Sequence, residues 1–306
     1  MQEITMTKET AIQTRSNMKT VVITGSSSGF GKMAAKQFAD KGHKVYAAMR
    51  NADGKNQAVK NELESYSENI VVVEMDVLSD ESVNTAIAQI MQKESAIDVL
   101  INNAGIMHMG ITEAFSVEQA QQLMDTNFYG VIRSVQAVAP HMRKAGKGLI
   151  INTTSVIGRV SWPFTGTYSA SKAAVEAYSQ SLKFELAPSG IEVVIVEPGP
   201  SSTNLGGSFK PEAHTQVVAE NPQLKATIDN MINSVGQGLE DPKTDPQNVV
   251  DVYLNLVDME HGTRPTRTAI GLVNNVDKIN DFFQPLQDQV ISDFQLDFML
   301  ETKVND

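Results

Sequence analysis

The sequence predicts a doubly wound α/β domain, a parallel sheet covered by helices on both faces. Three observations lead there. From Lys19 to about Ile195, short β-branched runs alternate with longer amphipathic segments. The runs are nearly continuous in Val and Ile, as strands buried on both faces require. No internal repeat or low-complexity tract interrupts the alternation, so right-handed βαβ crossovers give one three-layer, Rossmann-like domain over 18–306.

The strand segments are TVVIT (20–24), HKVYAAM (43–49), IVVVEM (70–75), IDVLI (97–101), GLIINTT (148–154) and IEVVIV (191–196). Helical patterns fill the gaps at roughly 31–41, 55–66, 80–94, 116–145 and 168–187. A further helix (246–259), a strand near 267–270 and a C-terminal helical segment (about 275–300) follow. Residues 1–17 read as a flexible, frayed tail. Between 200 and 245, Gly206, Gly207, Gly236, Gly238 and four prolines surround one weak helical pattern near 223–235. A connection that long after the sixth strand lies where such sheets bind ligands, and we expect a mobile substrate lid over 201–240.

Charge and composition exclude several functions. Asp and Glu total 36 against 25 Lys and Arg, a formal charge of -11, so nucleic acid and anionic membranes are disfavoured partners. Cysteine is absent, which removes disulfides, thiol nucleophiles and thiolate metal sites. The five histidines show no metal-ligand spacing, and no metal is expected. The opening MQEITMTKETAIQTRSNMKT lacks an apolar signal core, and no apolar run approaches 18 residues; a cytoplasmic location without a transmembrane segment is expected.

The first strand runs into Thr24-Gly25-Ser26-Ser27-Ser28-Gly29-Phe30-Gly31 and then a helix. A glycine-rich turn there exposes backbone N–H groups to a pyrophosphate at the helix N-terminus. The letters also spell Gly25-x-Ser27-x-Gly29, a serine-hydrolase elbow in its strand–turn–helix context, so a hydrolase with Ser27 as nucleophile stays open. Asp76-Val77 closes the third strand, Asn102-Asn103-Ala104-Gly105 the fourth, and Ser155 follows the fifth. Thirteen residues later comes Tyr168-Ser-Ala-Ser-Lys172, whose i,i+4 spacing puts phenol and ammonium on one helix face. An adjacent ammonium would stabilise the phenolate and draw the phenol pKa down from near 10.

With these motifs in this order, the chain resembles the short-chain dehydrogenase/reductase family over about Lys19–Gly199. The resemblance implies an oxidoreductase (EC 1.1.1.-, ketoreductase-like) that moves a hydride between a nicotinamide and a carbonyl or secondary alcohol. It implies Tyr168 as general acid/base, Ser155 on the reacting oxygen, and Lys172 on the phenol and the nicotinamide ribose. Asn127 would hold a water in the proton relay. Cofactor contacts carry over to Gly25, Ser27, Ser28, Gly29, Phe30 and Gly31 in the turn, and to Asn103, Ala104 and Gly105. Asp76 and Val77 would meet the adenine. Pro198, Gly199 and Thr203 would meet the nicotinamide side. A homodimer or homotetramer is implied as well. The Thr263–Arg267 segment and the C-terminal extension are similar, more weakly, to 17β-hydroxysteroid and retinol dehydrogenases. A non-catalytic nucleotide sensor is the third reading, against which the complete Asn127, Ser155, Tyr168 and Lys172 set speaks.

Charge argues for the cofactor. An NAD site places an acid at the end of the second strand, whereas Met49 stands there and Arg50 follows, suited to a 2′-phosphate. NADP(H) is therefore expected to be preferred over NAD(H), although Ser28 occupies the family's second basic position. Asn152-Thr153-Thr154 spells a glycosylation sequon, but its strand-end place makes it a chance match. Trp162 and Phe164 are expected in the pocket wall.

Overall fold

The computed structural model describes residues 18–303. The expected tail at 1–17 lies outside the described residues. Seven parallel strands form one sheet in the order 3-2-1-4-5-6-7. They are β1 (Thr20–Thr24), β2 (Lys44–Met49), β3 (Ile70–Glu74), β4 (Val99–Asn102), β5 (Gly148–Thr153), β6 (Ile191–Pro198) and β7 (Arg267–Ile270). The order reverses between β1 and β4, which opens a crevice at the strand C-termini.

Alternation along the strands builds two cores. Val21 and Ile23 of β1 face one way, against α1 (Gly29–Asp40) and a later helix, Pro246–Asp258, through Phe38, Val250 and Tyr253. Val22, Leu100 and Ile150 face the other way, against α3 (Asp80–Met91) and two longer helices, through Ile87, Val135 and Val175. Helix α2 (Gln57–Tyr66) covers the β3 edge and buries Leu63. Burial on both faces explains the near-continuous Val, Ile, Leu and Ala runs of β1, β2, β3 and β4, whereas β6 and β7 also carry Glu192, Glu197 and Arg267.

The stretch 116–145, expected as one helix, is three pieces: α4 (Val117–Met124), a π-helical turn (Asp125–Tyr129) and α5 (Gly130–Ala145). The wider turn accompanies Asn127 pointing inward, where its amide is buried and bonded to the Ile106 backbone. Helix α6 (Gly166–Leu186) then crosses behind β5 and β6.

The connection after β6 also differs from expectation. It contains α7 (Thr215–Glu220) and α8 (Pro222–Gly238) rather than one weak helix. None of Gly206, Gly207, Gly236 and Gly238 has a left-handed φ, and a Cβ at Gly206, Gly236 or Gly238 would meet nothing within 4 Å. They lie inside helical turns rather than in left-handed turn positions. After this connection come α9 (Pro246–Asp258), β7, α10 (Val276–Asp293) and a short 3₁₀ turn (Asp297–Met299). Among the described residues, no helix is long and apolar enough to cross a membrane.

Candidate active site

The cofactor-type turn is fixed by packing between strand ends. Gly25 has φ +69°, and a Cβ there would stand 2.8 Å from the Ala104 Cα. Thr24 Oγ1 accepts from the Asn103 and Ala104 N–H groups at 3.0 Å each, and Asn103 Nδ2 donates to the Thr24 carbonyl at 2.9 Å. The ends of β1 and β4 are thereby stapled at the reversal point. Gly31 sits behind the turn, where a Cβ would collide with Asn103 Nδ2 (2.6 Å) and the Gly25 oxygen (2.7 Å). At the start of α1, Ser28 makes no side-chain cap and the first turn holds no acid. Uncapped helix N–H groups beneath close-approach glycines are what a pyrophosphate needs, so these residues fit a dinucleotide.

All of the expected site residues except Gly31 and Asn127 line one cavity of about 610 Å³. Those two support it from behind. Asn127 Oδ1 accepts from Ile106 N–H at 2.8 Å, and its Nδ2 donates to Ile106 O (2.9 Å) and Ser171 Oγ (3.0 Å). This clamp ties the Asn103–Gly105 segment to the helix that carries Lys172. The cavity follows the strand ends from β2 and β3, with Arg50, Asp76 and Val77, to β5 and β6, with Ser155 and Pro198–Gly199. Thr203 lies beside the Gly29 turn, where a Cβ on Gly29 would touch it at 3.6 Å.

At the catalytic end, Ser155 Oγ donates to the Pro198 carbonyl at 3.2 Å and accepts weakly from Ile157 N–H. Tyr168 and Lys172 are both buried on one face of α6. Lys172 Nζ donates to the Thr153 carbonyl at 3.0 Å and lies 5.8 Å from the Tyr168 ring centre. Burial raises the Tyr168 phenol above its ordinary value, and a hydrogen bond with Ser155 opposes it. The ammonium-driven lowering expected from spacing is not among the causes acting on the phenol, and Lys172 Nζ is turned to the Thr153 carbonyl instead. Burial also drives Lys172 down to about 8, opposed by the charge of Glu176.

Sequence reading missed several contributors. Lys55 joins Arg50 at the adenosine end of the cavity. The 50–56 turn is locked by Glu74, which accepts from the Asn51 and Ala52 N–H groups, and by Asn56 Nδ2 donating to the Arg50 carbonyl. A basic residue after Asn51-Ala-Asp-Gly was the available signal. Below the catalytic end lies a buried charge cluster. Glu176, one turn beyond Lys172, accepts from Thr154 Oγ1 (2.5 Å) and Arg267 Nε (3.0 Å). Arg267 and Arg159 also face Glu197 at 3.9 and 3.8 Å, and Asn280 donates to the second Glu197 oxygen. Burial, then the Glu176 charge, pushes the Glu197 carboxyl up to about 8. The i,i+4 series Tyr168, Lys172, Glu176 was visible; its partner Arg267, 91 residues on, was not.

Ser27 lines the cavity, yet no histidine among the described residues does, so the elbow reading has no general base. Asn152 is fully buried in an amide ladder with Asn102 and Ser179, consistent with a chance sequon. Trp162 lines the cavity, whereas Phe164 packs in a separate cluster with Ile111 and Ile228.

Comparison with known proteins bears on this geometry. A family model described as short chain dehydrogenase matches residues 19–214. A 3-ketodihydrosphingosine reductase of Bacteroides thetaiotaomicron is 42% identical over 60% of this chain, and the match spans 65% of that reductase. Human retinol dehydrogenase 8 is 34% identical over 81% of this chain and 79% of its own length. Among solved structures, a short-chain dehydrogenase from Streptomyces avermitilis superposes with a TM-score of 0.72 at 28% identity, covering 91% of this chain and 96% of that one.

Proposed function

The chain belongs to the short-chain dehydrogenase/reductase family, an NAD(P)-dependent oxidoreductase family, and on that premise we propose an NADP(H)-preferring enzyme that interconverts a carbonyl and a secondary alcohol. One observation carries the reading: a single cavity runs from two cations, Arg50 and Lys55, to a buried Tyr168 flanked by Ser155 and Lys172. When bound, the nicotinamide supplies or accepts the hydride. The relatives' names, a keto reductase and a retinol dehydrogenase, support a carbonyl/alcohol pair.

The chain's own groups handle the proton and the positioning. Tyr168 Oη gives its proton to the carbonyl oxygen in reduction and takes it back in oxidation. Ser155 Oγ, presented at the end of β5, turns its proton from Pro198 O to that oxygen and fixes the reacting group. Lys172, kept charged by Glu176, favours the phenolate during transfer and donates to the ribose. Asn127 holds the relay water near Lys172. The uncapped α1 N-terminus and Gly25–Gly31 take the pyrophosphate, Asp76 and Val77 border the adenine, and Asn103–Gly105 the adenosine ribose. Thr203 and Pro198–Gly199 seat the carboxamide, and Arg50 with Lys55 takes the 2′-phosphate. Residues 201–240 close over the substrate as a lid. Family resemblance supports a homodimer or homotetramer, which mass photometry would test.

Tyr168→Phe tests the reaction. It keeps the packing and removes the proton donor, so kcat should fall by about 10²–10⁴ with NADPH affinity unchanged. Near-normal turnover would require another acid.

A further inference from the structure

Beyond Tyr168 the cavity offers a substrate no charge. Among the described residues, the charged side chains lining it are Arg50, Lys55 and Asp76 at the adenosine end, and Lys172 beside Tyr168. A phosphate or carboxylate on the substrate would be stripped of water there with no cation in reach.

The wall is built from apolar side chains instead. Met107 and Trp162 pack in the same cluster as Tyr168. On another part of the wall, α8 is fixed in rotation by Ile228, which is buried against Ile111 and Ala114. Helical periodicity then turns the following positions of that face inward, and Met231, Val235 and Leu239 all line the cavity. This stripe is just over two turns long, ~12 Å from Met231 to Leu239. Next to it, Ile232 lines the cavity yet keeps 41% of its surface open, apolar area that a ligand would cover. The two methionines are flexible enough to fit tails of different shape.

We propose that the substrate is a neutral carbonyl or secondary-alcohol compound with an extended apolar tail, its oxygen at Tyr168 and its tail along the α8 stripe. The stripe would cover a tail on the order of ten methylenes. This inference rests on the oxidoreductase reading and adds the substrate class to it.

The test is NADPH consumption with a series of 2-alkanones from butanone to tetradecanone, beside the same ketones ending in a carboxylate. Expected is a kcat/KM that rises about two- to fourfold per methylene over the first several and then levels. The carboxylate-ended ketones should be at least roughly a hundredfold poorer. Met231→Lys, which puts a cation on the wall, should raise kcat/KM for the carboxylate-ended ketones, a gain that damaged folding could not produce. A flat or falling dependence on tail length, or carboxylate-ended ketones used equally well by the unaltered protein, overturns the inference. Binding gives a separate readout, because Trp162 is the single tryptophan and lines the cavity. If no ketone is reduced, the oxidoreductase reading fails. Trp162 quenching by the matching alcohols that tightens with tail length would still support the apolar site, and quenching indifferent to length would overturn it.

Discussion

Glu176→Gln separates the electrostatic work of the buried cluster from its packing. The amide keeps the shape of the carboxylate and can still accept from Thr154 Oγ1, but its charge is gone. Glu176 is one helical turn from Lys172, where side chains lie ~6 Å apart. At that separation, with an effective dielectric of about 20, a unit charge contributes about 2–3 kcal/mol, or roughly 1.5–2 pKa units. Lys172 already titrates at about 8 because burial disfavours its ammonium. Without the opposing carboxylate it should fall to about 6–6.5. At pH 7.5 the ammonium population would drop from about three-quarters to below roughly a tenth. The assay is the pH dependence of kcat and KM for ketone reduction between pH 5 and 9, with NADPH affinity measured alongside. The expected result is a Lys172-controlled midpoint displaced to lower pH, with activity recovering below pH 6.5. A slower enzyme whose midpoint has not moved would refute the reasoning and leave Glu176 a packing residue.

Three further predictions concern other parts of the molecule. Arg50→Ala combined with Lys55→Ala should erase a roughly ten- to a hundredfold preference for NADPH over NADH, read as the ratio of their Kd values by calorimetry; an unchanged ratio would discard the 2′-phosphate assignment. Glu197 should make stability fall as pH rises: its folded pKa of about 8 exceeds the ordinary 4.5, so its contribution is complete below 4.5 and lost on passing through about 8. Urea midpoints at pH 5 and 8 should therefore differ, and Glu197→Gln, a mimic of the protonated acid, should shrink the difference; equal differences in both proteins would count against it. Hydrogen exchange over 204–238 should be fast in the unliganded protein and slow when NADPH and a substrate analogue bind; amides protected from the start would remove the lid.

The strands were legible because each is a local run of β-branched residues buried on both faces, and β1 falls where TVVIT stands. The ligand-facing residues were legible for a related reason. Gly25, Asp76, Asn103 and Ser155 all follow strand ends, and in a parallel sheet those ends converge on one crevice wherever the helices lie. Tyr168 and Lys172 share a face by helical spacing alone. Local pattern stopped there. It could not show that Asn127 is turned inward by a π turn, since the amphipathic period runs through 116–145 almost undisturbed. It read 201–240 as a mobile lid with one weak helical pattern, but could not show that the contact of Ile228 with Ile111 and Ala114 sets which face of α8 lines the cavity. Nor could it show the burial that raises the Tyr168 phenol, because the i,i+4 rule counts one neighbouring charge while desolvation depends on the elements packed around the residue. Arg267 reaches Glu176 from 91 positions away, and Lys55 joins Arg50 through a turn held by Glu74 on the next strand. What the chain spells in steps of two or four residues, its sequence determined; desolvation and long-range pairing depend on which distant surfaces meet, and the tertiary structure decided those.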